Sequence, residues 1–169
     1  MNRNDEGITR CISVNKRIRI EALDGSLTIC NASKTFPSQP DPDFFVWNLN
    51  KPGPPTPITD FKINEVLGEG MLLDFFISVN ADLEKLVTTQ HQIARFCQMY
   101  QGALNEHLAT NFFLTKDWCH QENAGLEKYF VVGVTIRFDG LSALIYRLNH
   151  PQSWIYTEGS HHFVITPKN

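Results

Sequence analysis

A chain of 169 residues, 42% hydrophobic and 20% charged, carries enough apolar side chains to bury one core without disulfides or a structural metal. Its net charge of -3 argues against a large phosphate-binding face, and no apolar run approaches the ~20 residues of a membrane helix. These bounds predict one α+β domain over residues 1–169, with neither nucleic acid nor membrane as a partner.

The N-terminal stretch Met1 to Glu6 is polar and lacks the apolar core of a secretory signal, so a cytoplasmic location is expected. Arg3, Arg10, Lys16, Arg17 and Arg19 outnumber Asp5 and Glu6 here, an excess expected on a solvated strand face rather than at a nucleic-acid site. From Arg17 to Leu23, Ile18, Ile20 and Ala22 alternate with charged residues. Asp24-Gly25 and the continuing alternation of Leu27 and Ile29 then predict a β-hairpin.

Residues 33–57 read as a loop, because seven of the nine prolines fall between Pro37 and Pro57, and proline removes the N–H that a central strand donates. Phe44, Phe45, Val46, Trp47 and Leu49 sit in its middle. Leaving them in water would be costly, so the loop should pin them against the domain or a partner.

Ile58 to Val66 and Met71 to Val79 read as a second alternating pair joined by Leu67-Gly68-Glu69-Gly70. Asn80 is then expected to cap one long helix from Ala81 to Leu108, with Leu83, Leu86, Val87, Ile93, Ala94, Cys97, Leu104 and Leu108 at helical spacing. Strands follow at Asn111 to Lys116, Lys128 to Phe138, Leu141 to Leu148, Trp154 to Thr157 and His162 to Thr166. Within Lys128 to Phe138, the even positions from Phe130 to Phe138 share one face, predicted to be core. The odd positions share a second face, predicted to be at least half covered. Asp139-Gly140 marks a hairpin turn.

The predicted architecture is a curved antiparallel β-sheet of about eight to ten strands, made of hairpins and a C-terminal meander, packed on one long central helix. The element order resembles that of hot-dog-like and other helix-gripping folds, a likeness of architecture that assigns no function.

The chain has no Walker loop, dinucleotide fingerprint, H-E-x-x-H, G-x-S-x-G or paired C-x-x-C. Gly68-Glu69-Gly70 reads as a hairpin turn, since a phosphate loop would lead into a helix. His161-His162, with Glu158 and His150 nearby, is the densest group of metal-ligand types. Adjacent strand residues point to opposite faces, so no metal and no cofactor is predicted. The cysteines Cys11, Cys30, Cys97 and Cys119 are expected as free thiols, and Cys119-His120 as an ordinary loop pair.

Asp74, flanked by apolar residues, and His162 are the catalytic candidates, because a partly desolvated carboxyl is tuned toward acid–base work. The binding candidates are aromatic: Phe44, Phe45 and Trp47 on the proline-stiffened loop, with Trp154 and Tyr156. The expected function is a non-catalytic binding or assembly protein acting through an apolar and aromatic surface, on itself as a homodimer or on another protein. The alternative is a small enzyme or carrier of a small apolar ligand, with a pocket between helix and sheet lined by Asp74 and a histidine.

Overall fold

The computed structural model describes residues 8–104, 109–119, 125–151, 154–155 and 161–168. Its strands are β1 (Thr9–Cys11), β2 (Ile18–Ile20), β3 (Thr59–Val66), β4 (Gly70–Met71), β5 (Asn111–Lys116), β6 (Tyr129–Arg137), β7 (Gly140–Arg147), β8 (Trp154–Ile155) and β9 (Phe163–Pro167). Three short α-helices stand among them, α1 (Asp43–Val46), α2 (Leu72–Val79) and α3 (Gln90–Met99). Seven strands form one sheet in the order β1-β3-β9-β5-β6-β7, with β2 also on β3, while β4 and β8 make a separate two-stranded sheet.

The alternation of β6 organises the core. Phe130, Val132 and Val134 face a cluster with Phe113 of β5, Ile165 of β9 and Ile93, Ala94, Phe96 and Cys97 of α3. Tyr129 and Val131 face the other way, into a cluster with Phe112, Leu114, Val164 and Leu72, Phe75 and Phe76 of α2. Both faces of the sheet are thus covered, and the expected division of β6 holds from Tyr129 to Val134; Ile136 is only partly buried, and Phe138, predicted on the core face, stands fully exposed in the turn that follows the strand. Gly133 belongs to the second face, where a Cβ would come within 2.8 Å of both the Thr110 methyl and the Tyr146 ring.

The predicted long central helix does not exist. Leu83–Leu86 form a 3₁₀ turn, residues 87–89 are extended, α3 runs only from Gln90 to Met99, and residues 105–108 lie outside the described set. The break has a local cause. Thr88 donates both its N–H (2.7 Å) and its hydroxyl (2.6 Å) to the Leu114 carbonyl of β5, which holds the chain out of helix. Thr89 then starts α3 with a capping box: its Oγ1 accepts from Gln92 N–H (3.2 Å) and Gln92 Oε1 accepts from Thr89 N–H (3.0 Å).

Both early hairpins are also corrected. β2 pairs with β3, and the chain after Gly25 enters a 3₁₀ turn at Ile29–Asn31 instead of a returning strand. Gly25 does take a positive φ of 80°, but it does so to let Gly53 and Pro54 approach, where a side chain would collide with their carbonyl oxygens. Met71 to Val79 is not the partner of β3. Leu72, Phe75 and Phe76 are fully buried at helical spacing on α2. The glycines at 68 and 70 therefore do precede a helix, whose first turn is occupied by the chain's own Asp74 carboxylate, accepting from Met71 N–H at 3.2 Å.

The C-terminal strands form where expected, yet only β5, β6 and β7 make an antiparallel meander. β8 leaves to pair with β4, and β9 inserts between β3 and β5, running parallel to β5. The sheet is mixed rather than purely antiparallel. The β6–β7 turn is two residues, Phe138-Asp139, with Gly140 at φ 123° beginning β7. No helix among the described residues is long and apolar enough to cross a membrane.

Candidate functional site: the aromatic corner

The loop over residues 33–57 carries its aromatics on a built corner. Asp41 Oδ1 accepts the Asp43 N–H at 3.0 Å, and Pro42 presets the backbone for the single turn of α1. The turn ends at Asn48, whose φ of 58° is left-handed, a conformation asparagine tolerates better than most residues. Asn48 N–H donates to the Phe45 carbonyl (3.1 Å) and Leu49 N–H to the Phe44 carbonyl (2.8 Å), the two crossed bonds of a Schellman motif. Its companion apolar contact is present too, because Phe44 and Leu49 are both buried in the core beside α3.

This frame sorts the predicted binding residues. Phe44 is fully buried and belongs to the core. Phe45 and Val46 point out, 55% and 71% exposed. Trp47 is mostly covered, its ring centroid 5.6 Å from that of Phe130 and its face 5.1 Å from the Arg147 guanidinium. The corner thus presents an aliphatic and an aromatic side chain on a turn whose backbone is held at both ends.

Trp154 lies apart on β8, 44% exposed and opposite Met71 in the two-stranded sheet. Tyr156, Glu158 and His120 lie outside the described residues. Asp74 is exposed at the start of α2. His162 is buried, with Nδ1 accepting the Thr110 N–H at 3.1 Å and its ring 5.7 Å from Phe112, so it bridges β5 and β9. His161 is exposed on the opposite side, 3.4 Å from Glu65. Among the described residues no group of three or more His, Cys, Asp or Glu is placed to hold a metal ion. The four cysteines are free thiols, and burial pushes the Cys97 thiol far above its ordinary value.

A polar cluster that spacing alone did not reveal gathers around Glu84. Lys116 (2.8 Å), Lys128 (2.6 Å) and the Tyr129 hydroxyl (2.7 Å) all reach its carboxylate, and the Lys116 ammonium also lies 4.5 Å from the Trp118 ring. Burial alone would raise the Glu84 pKa, but the three hydrogen bonds outweigh it and lower the pKa to about 2. Every group in the cluster is paired. It staples the 3₁₀ turn at Leu83–Leu86 to the ends of β5 and β6.

Comparison with protein-family models, with curated proteins and with solved structures finds no match to this chain.

Proposed function

We propose that the chain is a non-catalytic binding or assembly protein whose α1 corner docks a second copy of itself. The observation that carries this reading is the pairing of exposure with rigidity: Phe45 and Val46 stand in solvent on a turn closed by a Schellman motif and anchored by Phe44. Apolar residues held in place lose little entropy on association, which is what a contact hot spot requires.

Edge-to-edge pairing of sheets is the less favoured route to a dimer. The outer edge of β7 is met by Asp41, and the outer edge of β2 by the Tyr100 hydroxyl, which accepts from Arg19 N–H (3.0 Å) and donates to the Arg19 carbonyl (2.8 Å). A catalytic pocket lined by Asp74 and His162 has less support, since Asp74 lies in the open at the first turn of α2 and the long helix that was to wall the pocket is absent. Light scattering across a concentration series tests the proposal. A species of twice 19.3 kDa at micromolar concentration and above supports it, and a monodisperse monomer at every concentration refutes it.

A further inference from the structure

β1 and β2 are two halves of one edge strand on β3, and the registers show what separates them. Cys11 pairs with Asn64 and Ile18 with Phe61, so six residues, 12–17, stand opposite two, 62–63. The excess forms a projecting loop, and the loop is fixed at its base. Ser13 is buried and its Oγ accepts the Ile63 N–H (2.8 Å), Ile12 N–H donates to the Ile63 carbonyl (2.9 Å), and Lys16 N–H donates to the Ser13 carbonyl (3.0 Å). On the other side the chain leaves β9 at Lys168, whose N–H donates to the Asp60 carbonyl at 2.7 Å. Between them lies a cleft of about 330 Å³ lined by Val14, Asn15, Lys16, Arg17, Asp60 and Lys168.

The charges of this cleft do not follow those of the chain. Of the basic residues on this edge, Arg10 is paired with Glu65 and Arg19 with Asp60, as on an ordinary strand face. Lys16, Arg17 and Lys168 have no carboxylate within ion-pairing distance among the described residues. The one carboxylate in the wall, Asp60, is taken up by two bonds from Arg19 (2.7 and 3.1 Å). Its carboxyl is held below the usual range, first by the Arg19 hydrogen bond and then, against burial, by the charges of Arg19, Arg17 and Lys168. Three cations therefore line one open cleft in a chain of net charge -3.

We propose that this cleft binds a small phosphorylated molecule, its phosphate held by Lys16, Arg17 and Lys168. A phosphate monoester carries a charge of about -1.5 to -2 and three acceptor oxygens, which suits one guanidinium fork and two ammonium groups. Val14, 74% exposed on the rim, offers an apolar contact to the organic part of the ligand. The pinned loop and the short reach of the basic patch, three cations only, favour a small molecule over a polymer, whose backbone needs an extended basic track.

The test is titration of the ¹⁵N-labelled full chain with inorganic pyrophosphate and with phenyl phosphate at constant ionic strength, alongside sodium chloride as control. The proposal expects saturable shifts confined to residues 13–19, 60–61 and 168, with phenyl phosphate also moving Val14. The double variant Lys16→Gln/Arg17→Gln, at exposed positions, should keep its dispersed spectrum and bind at least about tenfold more weakly. Saturable binding that is absent, or equal in the double variant, overturns the proposal. Tighter, steeply salt-dependent binding of a single-stranded oligonucleotide at the same residues overturns it as well, by making the site one for a polymer.

Discussion

One oxygen of Asp41 accepts the backbone N–H of Ile145 at 3.1 Å, so a side chain from the proline-rich segment takes up an N–H on the outer edge of β7. The other oxygen accepts the Asp43 N–H at the start of α1, and the same carboxylate therefore ties the aromatic corner to the edge of the sheet. Replacing it leaves two N–H groups without their acceptor. Asp41→Ala should cost about 1–3 kcal/mol and lower the urea midpoint. Tyr100→Phe, which removes both bonds to Arg19 at the opposite edge, should cost about 1 kcal/mol. Because the sites share no partner, the double variant should show the sum of the two. An unchanged midpoint in Asp41→Ala would show that the edge is held by packing alone.

Thr89 decides where α3 begins. Thr89→Ala removes the acceptor for Gln92 N–H and should destabilise the fold by about 1 kcal/mol, whereas Thr89→Ser should restore most of it. Chemical denaturation of the three proteins checks the order wild type, serine, alanine.

Acid should act through Glu84. Its pKa is about 2 in the folded chain against an ordinary 4.5, so between those values the unfolded chain holds more protons and stability falls as pH falls. Above pH 4.5 the contribution is constant. The side chain is 44% exposed, and solvent screening keeps the effect modest. Denaturant midpoints from pH 5 to pH 2 should fall more steeply in the wild type than in Glu84→Gln, which cannot titrate. Parallel profiles would show that the lysine contacts do not persist in solution.

The sequence made strands legible where one periodicity stood alone. β6 alternates over its length and has no competing helical pattern, and β5, β7 and β9 are bounded by turn residues, so their positions followed from local chemistry. α2 was not legible in that way, because Leu72, Phe75 and Phe76 satisfy a helical period while Leu73, Phe75 and Ile77 satisfy a strand period. The helix won by burying Phe75 and Phe76 together on one face. The long helix failed for the opposite reason: apolar spacing continued across residues 83–97, but Thr88 and Thr89 could bond to β5 and to Gln92, and those bonds end one helical segment and begin another. The T-x-x-Q spacing of Thr89 and Gln92 is the signal that would have placed the start of α3. The insertion of β9 between β3 and β5 depends on pairings remote in sequence and leaves no local mark.

At the candidate corner, the presence of an anchored aromatic group was legible, while the direction of each side chain was not. Phe44 and Phe45 are neighbours of the same type, and only the packing of α1 against the core distinguishes the buried Phe44 from the exposed Phe45. Asp41 gave no signal by itself, since its role depends on Ile145, more than a hundred residues away.

The most direct test of the assembly proposal is sedimentation equilibrium of the wild type against Phe45→Ser/Val46→Ser. Both side chains are exposed, so the double variant should unfold at nearly the wild-type denaturant concentration. The account predicts a wild-type dimer whose dissociation constant rises by about thirtyfold or more in the variant, the effect of losing a hot spot of about 2 kcal/mol. A wild type that stays monomeric, or a variant that dimerises as tightly as the wild type, would contradict it.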